Sequence, residues 1–413
     1  MIIKLRTIRN LAVILALLVL AGGVGYNLGQ RDVKVRWKNL PQVEITNKLP
    51  PSNRDVDFSL FWDVWSRVES SYVDKSKLQP QTMVYGAISG MVSSLGDPYT
   101  VFLPPQENKE SKEELNGSFE GIGAQLGIKE NKIVVVAPVS GMPAEAAGIK
   151  AGDWIVKVDG KETANWTLPE AVNNIRGTKG TEVTLTILHP GQTKTTDVKV
   201  VRNTIVIKSI EWQVKEASGS AKEIVYLRLS RFGDTTNTEF DTAVTEITEK
   251  MQSDSNIRGL VLDLRNNPGG YLNGAVYVAS EFLKDGEVVK QANGDGTSQT
   301  FTVNRQGKLT QVPMVVLINQ GSASASEIVA GALQARGRAK LIGTQSFGKG
   351  SVQEAQDLPG GAGLHVTISK WLLPDGRWIN GSGLTPDDKI EQDENDPTRD
   401  LQLEKAIEIL TAG

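Results

Sequence analysis

The chain has 413 residues, of which 39% are hydrophobic and 23% charged, with a formal net charge of −3. This length predicts two or three domains, and the near-neutral charge gives no electrostatic footprint for nucleic acid. The absence of cysteine excludes disulfides, a thiol nucleophile and a cysteine metal site, and the two isolated histidines, His189 and His365, argue against a zinc site. The sequence therefore predicts a globular protein with neither a metal nor a cofactor.

Residues 1–30 differ in composition from the rest of the chain. Lys4, Arg6 and Arg9 precede a segment that is uncharged and strongly apolar in its first half. This pattern is typical of a signal peptide or a signal anchor. We favour an uncleaved anchor, because the uncharged segment is close to the ~20 residues that span a bilayer. Positive charges also follow the segment, so charge does not fix its orientation. Residues 31–56 are typical of a linker.

Residues 57–112 are predicted to form an N-terminal helical region. Phe61 and Trp65 belong to an apolar stripe at helical spacing, and a second stripe begins at Met83. The sequence Gly96-Asp-Pro-Tyr99 is a turn signal. We assign it to the connection that closes the two predicted helices.

Residues 113–203 contain a glycine-rich loop, Gly117-Ser-Phe-Glu-Gly-Ile-Gly-Ala124, that leads into a predicted strand. Backbone N–H groups of such a loop can bind the C-terminal carboxylate of a peptide, while the strand edge pairs with the peptide backbone. A helix is predicted at Leu168–Ile175. Arg176 at its end is a candidate for gating or for an anion contact, and a solvated surface arginine is the alternative.

Residues 204–413 alternate between predicted strands and helices, which indicates α/β layering. The apolar run Gly259–Leu264 is predicted to be a buried strand. Asp263 and Arg265 are predicted to be structural ion partners rather than catalytic groups. A last helix is predicted at Asp396–Leu410, with Asp396 as its cap.

Three serines, Ser322, Ser324 and Ser326, alternate with small residues between an apolar strand, Met314–Ile318, and a helix that starts at about Glu327. Such a turn holds a hydroxyl near a helix N-terminus, where outward-pointing N–H groups favour a developing anion. The residues alone do not choose among the three serines.

Lys349 lies between two glycines in Phe347-Gly-Lys-Gly350. A lysine can replace histidine as general base if burial lowers its pKa toward the working pH. Neither histidine has an obvious carboxylate partner, so Lys349 is the best-placed base, with a solvated loop lysine as the alternative.

Two short motifs nearly match around Lys349 and are rejected. The phosphate-loop pattern lacks its final Ser or Thr, and Ser346-Phe-Gly-Lys349 lacks the companion motifs of penicillin-binding proteins.

Three segments together resemble the carboxy-terminal processing peptidases, or tail-specific proteases. They are Gly321–Glu327, Phe347–Gln353 and Leu262–Gly270, and the resemblance extends from about Phe58 to the C-terminus. It implies a multidomain α/β protein with three parts. These are the N-terminal helical region, a PDZ domain (a small β-barrel or sandwich with helices) at 113–203, and a crotonase-like α/β serine protease core from 204 onwards.

The resemblance also assigns roles in the protease core. Ser324 would be the nucleophile, Lys349 the general base, and Gln353 the group that orients the lysine. The N–H groups of Gly270 and Ala325 would form a two-donor oxyanion hole.

In the PDZ domain, the implied peptide-binding residues are Gly121, Ile122, Gly123, Ala124 and Arg176. The implied activity is that of a serine endopeptidase that recognises protein C-termini and processes or degrades exported proteins. The catalytic part would be extracytoplasmic and anchored to the cell membrane. A homodimer and an activating partner protein are further implications. The alternatives are a PDZ adaptor with an inactive protease core and an acyl transferase acting on cell-wall peptides.

Overall fold

The structure is a computed structural model. It describes residues 33–35, 43–45 and 57–412, apart from 131, 140, 218–220, 394–395 and 397–398. The predicted anchor at 1–30 lies outside these residues. Within the described part of the chain, no helix is both long enough and apolar enough to cross a membrane. The chain divides into two compact units, residues 1–83 and 84–413.

The first unit contains a strand pair and a helix. Strands β1 (Val33–Val35) and β2 (Val43–Ile45) pair antiparallel inside the segment predicted to be a linker. Helix α1 (Ser59–Ser71) forms where the sequence predicts helix, and a 3₁₀ turn follows at Lys75–Lys77. The aromatic rings of α1 pack against one another.

Helix α2 (Pro80–Ser93) begins in the first unit and continues into the second. The second unit then contains β3 (Val101–Leu103), α3 (Pro105–Asn116) and β4 (Ser118–Gly121). Phe102 in β3 is buried, which fixes this short strand in a small apolar cluster. These elements lead the chain into the predicted PDZ region.

The predicted PDZ region is a sheet with two helices. In chain order its elements are β5 (Ala124–Lys129), β6 (Lys132–Pro138), α4 (Pro143–Ala146), β7 (Trp154–Val158), β8 (Lys161–Glu162), α5 (Leu168–Ile175), β9 (Glu182–Leu188) and β10 (Thr196–Val201). The strand order is β10-β9-β7-β6-β5, with β8 paired to β7, so β5 lies at an edge. Val183, Leu185 and Ile187 alternate into the core along β9, as expected for a strand with one buried face.

Helix α5 has the bounds that the sequence predicts. Thr167 and Glu170 form a capping box at its start, in which the Glu170 carboxylate accepts the Thr167 N–H at 2.7 Å. Ala171 and Ile175, one turn apart, are buried against the sheet. The opposite face of α5 is therefore left for a ligand or for solvent.

Strand β11 (Asn203–Val206) follows this region and pairs antiparallel with β4. In this register, Gly121 lies opposite Asn203. The chain thus enters and leaves the PDZ region through one two-stranded ribbon.

The remaining residues form the predicted protease core. Its elements are β12 (Ile210–Glu216), β13 (Glu223–Leu229), α6 (Thr236–Ser253), β14 (Ile257–Asp263), α7 (Leu272–Phe282), β15 (Glu287–Asn293), β16 (Ser298–Thr302), β17 (Met314–Ile318), α8 (Ala325–Ala335), β18 (Lys340–Gly343), β19 (Ser351–Asp357), β20 (Gly363–Leu372), β21 (Asp388–Lys389) and α9 (Leu401–Thr411). A 3₁₀ turn at Pro359–Gly361 joins β19 to β20.

A central sheet carries most of this core, in the order β12-β13-β14-β17-β18-β21. Every neighbouring pair from β13 to β21 is parallel, and β12 adds an antiparallel edge. Leu260 and Leu262 on β14 pack with α6, α7 and α8, whereas Val261 between them packs with α9 on the other face. Helices cover both faces, so the predicted α/β layering is confirmed.

A second, antiparallel sheet has the order β16-β15-β20-β19, and β3 pairs with β20 at one end. The chain that precedes the PDZ region therefore supplies a strand to the protease core. Trp371 on β20 is fully buried between this sheet and the central one.

The predicted cap of the last helix is wrong. Helix α9 starts at Leu401, and Asp400 is its cap, accepting the Leu403 N–H at 3.0 Å. The reason is tertiary, because the guanidinium of Arg265 binds the Asp400 carboxylate at 2.7 Å and holds the start of the helix there. The sequence offered Asp396 as an earlier cap but contains no local signal for this long-range pairing.

Candidate active site

The serine turn between β17 and α8 separates the three serines by burial. Ser322 and Ser326 are fully buried, and their hydroxyls donate to the carbonyl oxygens of Leu264 and Asn267. Ser324 is only half-buried and has a φ of 55°, which is rare for a residue with a side chain. Such strained backbone clusters at functional sites. Ser324 is thus the one serine of this turn that is not buried.

The turn after β14 packs directly against Ser324. A Cβ on Gly269 would lie 2.8 Å from the Ser324 Cβ and 2.9 Å from the Ala325 nitrogen. Next to it, the N–H groups of Gly270 and Ala325 make no hydrogen bond to any described residue. The turn that carries Gly270 therefore packs against the turn that carries Ala325, and both predicted oxyanion donors are free to donate among the described residues.

A buried carboxylate joins the serine turn to the lysine loop. Glu327 is 0% exposed. Its Oε2 accepts the N–H of Ser324 at 2.8 Å and the N–H of Lys349 at 3.0 Å. Its Oε1 accepts the Ser346 hydroxyl at 2.5 Å and the N–H of Gly348 at 2.7 Å. One charged side chain thus fixes the backbone of the predicted nucleophile against the backbone of the predicted base.

Sequence reasoning missed this role of Glu327. A glutamate three residues after a serine at a helix start is the ordinary signature of a capping box. That signature was present, but nothing local shows that the carboxylate is buried or that it reaches a loop twenty residues further along the chain.

Lys349 is half-buried beside the serine turn. Burial lowers its pKa from the usual value for lysine, while the charges of Asp97 and Glu327 act to raise it. Its Nζ lies 5.2 Å from the centre of the Tyr99 ring. Such an amine is closer to being a usable base than a solvated lysine is.

Gln353 on β19 has other partners. Its amide Nε2 donates to the Ser351 hydroxyl at 2.8 Å and to the Thr367 hydroxyl at 3.1 Å. Among the described residues, no hydrogen bond joins Gln353 to Lys349. The structure places Gln353 on the strand after the base but does not join the two side chains.

The turn Gly96–Thr100 reaches the same site, although the sequence marked it only as a connection. The Asp97 carboxylate accepts the Tyr99 N–H at 3.1 Å and the Thr100 hydroxyl at 2.7 Å. Thr100 is buried, and its oxygen in turn accepts the Thr367 N–H at 3.0 Å. The turn is therefore attached to the strand that faces Gln353.

The residues predicted to bind a peptide surround the edge strand β5. Gly123 has a φ of 73°, and a Cβ there would lie 2.4 Å from the Met142 Cβ. Ile122 is buried, and its carbonyl accepts the Ala144 N–H, while Ala124 opens β5. Gly121 ends β4 and lies beside the side chain of Arg176. Gly121, Ile122 and Gly123 are buried, and Ala124 is half-buried, so the loop is closely packed.

Arg176 connects this loop to α3. Its Nη1 lies 3.3 Å from the Glu113 carboxylate, and its guanidinium stacks over the Phe119 ring at 4.4 Å. A groove of about 960 Å³ passes Arg176, with Leu168 and Val172 of α5 on one wall. The same groove is lined by Asn266 and Pro268, the residues just ahead of Gly269. It leads from the predicted peptide site to the predicted oxyanion turn.

Two other predictions concern ion pairs and histidines. Asp263 and Arg265 lie 2.6 Å apart in a buried ion pair, which confirms them as structural partners. The expectation that neither histidine has a carboxylate partner is wrong for His189, whose Nδ1 lies 2.7 Å from Asp153. Burial and the charge of Lys349 lower the pKa of His365. Among the described residues, no group of three or more His, Cys, Asp or Glu side chains is arranged to hold a metal ion.

Comparison with known families matches three parts of the chain. The sequence model of peptidase family S41 matches residues 223–390, and that of the PDZ domain matches residues 110–188. The model described as the activating protease CtpB N-terminal domain matches residues 19–107.

Two relatives show how much of the chain this likeness covers. The carboxy-terminal-processing protease of Bartonella bacilliformis is 41% identical over 336 residues, which is 80% of this chain and 74% of that protein. The carboxy-terminal processing protease CtpB of Bacillus subtilis is 34% identical over 400 residues, 97% of this chain and 81% of that protein. A solved structure of a candidate S41 protease from Bacteroides fragilis has the same fold, with a TM-score of 0.55 at 17% identity over 88% of this chain and 99% of that one.

Proposed function

Because the chain belongs to peptidase family S41, as a carboxy-terminal processing serine protease with a PDZ domain, we propose that Ser324 and Lys349 form its catalytic pair. The PDZ domain recognises the free C-terminus of the polypeptide substrate. The observation that carries the proposal is the Glu327 carboxylate, which binds the N–H groups of both residues through one oxygen.

The proposed chemistry follows from the burial of Lys349. In its neutral form, Lys349 takes the proton of the Ser324 hydroxyl as the serine oxygen attacks the scissile carbonyl carbon. The negative charge then on the carbonyl oxygen is stabilised by the N–H groups of Gly270 and Ala325. The Lys349 ammonium next donates its proton to the leaving amine. A water molecule repeats the cycle on the acyl-enzyme and regenerates Ser324.

Two features support recognition of a C-terminus by the PDZ domain. Among the described residues, β5 pairs with β6 alone, so its other edge is available for a peptide strand. Gly121 of the loop Gly121–Ala124 lies beside Arg176, whose positive charge suits a terminal carboxylate. The groove from α5 to Pro268 then gives the bound tail a route to Ser324.

The composition of residues 1–30 supports export of the catalytic part. We propose that this segment anchors the protease to the cell membrane and that its substrates are exported proteins with free C-termini. The basic residues followed by an uncharged apolar segment are the support for this part of the proposal.

The test is hydrolysis of an unstructured protein with an apolar C-terminal tail by the full-length chain in detergent. Ser324→Ala and Lys349→Ala should each lower kcat/KM by at least about 10³-fold. Lys340→Ala, an exposed lysine on β18, is the matched control and should retain full activity. Retention of activity by either Ser324→Ala or Lys349→Ala would remove that residue from the mechanism.

A second arm tests recognition of the C-terminus. The same substrate with its terminal carboxylate converted to an amide should show a higher KM and little change in kcat, because only tail binding is altered. Equal KM values for the two substrates would show that the PDZ domain does not read the carboxylate.

A further inference from the structure

The turn Gly96–Thr100 precedes the PDZ domain in sequence, yet its side chains lie at the active site. The turn lies outside residues 223–390, which match peptidase family S41. It lies inside residues 19–107, which match the CtpB N-terminal domain. The Tyr99 ring centre is 5.2 Å from the Nζ of Lys349. Residues far from the catalytic pair along the chain therefore form one wall around the base.

The position of this turn is fixed by a chain of hydrogen bonds. The Thr100 hydroxyl donates to Asp97 at 2.7 Å and accepts the Thr367 N–H at 3.0 Å. The Thr367 hydroxyl accepts the amide of Gln353 at 3.1 Å. Thr100 is only 6% exposed, so these bonds are protected from competition by water. This series of hydrogen bonds ends at Gln353, to which the family resemblance assigns the role of orienting Lys349.

The ionisable groups around Lys349 come from three elements. Asp97 and Tyr99 belong to the turn, Glu327 to α8 and His365 to β20. Burial lowers the pKa of Lys349, whereas the Asp97 and Glu327 carboxylates raise it. Glu327 already accepts four hydrogen bonds, from the N–H groups of Ser324, Gly348 and Lys349 and from the Ser346 hydroxyl. Asp97, two residues before Tyr99 on the same turn, is thus the second negative charge near the base, and it acts through space, because no ion pair joins it to Lys349 among the described residues.

We propose that the turn Gly96–Thr100 is a positioning element of the active site: Tyr99 shields the Lys349 amine from water, and Asp97 stabilises the ammonium that forms during catalysis. The inference rests on the proposed Ser324–Lys349 pair. In that reaction the serine O–H bond breaks as the bond from its oxygen to the substrate carbon forms, and the proton passes to Nζ. The positive charge created there is balanced by the carboxylate of Asp97 until the leaving amine takes the proton.

The two side chains act on the base in opposite directions. The Tyr99 ring, 5.2 Å from Nζ, contributes to the burial that favours the neutral amine, and its face also attracts the ammonium weakly. Burial is the largest influence on the pKa of Lys349, so we expect the shielding by Tyr99 to outweigh this attraction, whereas the Asp97 carboxylate favours the ammonium. Removing the negative charge of Asp97 therefore lets Lys349 lose its proton at a lower pH. Opening the site at Tyr99 has the reverse effect, because water then solvates the ammonium.

The experiment measures kcat/KM against pH for the full-length chain with the unstructured, tailed substrate. Asp97→Asn keeps the volume of the side chain and one oxygen that accepts the Tyr99 N–H, and it removes the negative charge together with the acceptor for the Thr100 hydroxyl. Its acid limb should move to lower pH, and its maximal kcat should fall about tenfold, as expected when an acid–base group is weakened. Tyr99→Ala should move the acid limb to higher pH. Opposite shifts in two neighbouring variants do not arise from partial unfolding.

Asp295→Asn is the matched control. Asp295 makes the same kind of turn, accepting the N–H and the hydroxyl of Thr297, in the β15–β16 connection. Its pH profile should equal that of the wild type. An unchanged acid limb in both Asp97→Asn and Tyr99→Ala, with Lys349→Ala inactive, would overturn this inference and leave the catalytic pair intact. Full activity of Lys349→Ala would instead overturn the proposed function, and this inference with it.

Discussion

The proposed catalytic site around Ser324 and Lys349 and the groove beside α5 each contain a glutamate. The two glutamates are held very differently. Glu327 is 0% exposed and accepts four hydrogen bonds, three of them from backbone N–H groups. The side chain of Glu113 is 18% exposed and meets Arg176 at 3.3 Å, where the arginine side chain is 32% exposed. A buried charge with all its partners fixes geometry, whereas a partly exposed ion pair of long side chains is easily exchanged. The difference indicates that the proposed catalytic site is held fixed, whereas the proposed recognition groove is adaptable.

The largest effect should come from Glu327→Gln, which tests the rigid side of this comparison. The variant keeps the volume but turns an amide N–H₂ toward donors that need an acceptor. We expect kcat to fall by about 10²-fold or more and the free energy of unfolding to fall by about 3 kcal/mol. Steady-state kinetics and urea unfolding measure the two quantities. Activity within about twofold of the wild type would show that the carboxylate does not set the geometry of the pair.

Gly269→Ala should have the next largest effect. Its Cβ would lie within 3 Å of the Ser324 Cβ and of the Ala325 nitrogen, at a φ of 100° that a side chain disfavours. Displacement of the oxyanion donors should reduce kcat by about 10²-fold with little change in KM. Gly294→Ala is the control, because a Cβ there meets nothing within 4 Å. A normal kcat in Gly269→Ala would mean that this turn can shift to accommodate the added Cβ without affecting catalysis.

A pH effect on stability should come from the Arg265–Asp400 pair. Burial raises the pKa of Asp400, but the hydrogen bonds from Arg265 and Gln392 outweigh it and lower the pKa to about 2. The folded-state pKa is depressed, so the pair contributes its stability above the ordinary pKa of about 4 and loses it as the pH falls from about 4 to about 2. Thermal unfolding across this range should show a decrease that is smaller in Asp400→Asn. Equal decreases in the unfolding temperature of the wild type and of Asp400→Asn would show that other groups cause the acid sensitivity.

The smallest effect should come from Arg176→Gln, on the adaptable side. Loss of the contact with Glu113 should change the free energy of unfolding by less than about 1 kcal/mol. We expect KM for a tailed substrate to rise by about tenfold or less, with kcat unchanged, because the arginine faces the groove rather than the reacting atoms. Lys179→Gln, an exposed residue of the same domain, should change neither constant. A large fall in kcat would show that the groove beside α5 and the proposed catalytic site are coupled.

Elements with a complete local signal were predictable from the sequence. Met314–Ile318 is an uninterrupted apolar run and forms β17 with those bounds. Leu168–Ile175 follows a Thr–Glu capping box and forms α5 with those bounds. In both cases the hydrophobic pattern and the end signals agree, so no distant contact was needed to define the element.

Features set by long-range contacts were not predictable. The last helix has Asp400 rather than Asp396 as its cap, because Arg265 binds Asp400 from more than a hundred residues away. The carboxylate of Glu327 and the ring of Tyr99 reach Lys349 through the fold, and neither residue type is unusual at its place in the sequence. Ser324 could be chosen by resemblance, but its distinction from Ser322 and Ser326 by burial required the structure.

The ribbon of β4 and β11 makes the PDZ domain a replaceable part. Its strands β5 to β10 lie between Gly121 and Asn203, which are neighbours across two paired strands about 5 Å apart. A tight turn, or another domain whose ends lie equally close together, fits the same two attachment points without altering any strand of the core. Selection on what the enzyme recognises can therefore proceed by exchange of a whole module, while the chemistry is inherited unchanged.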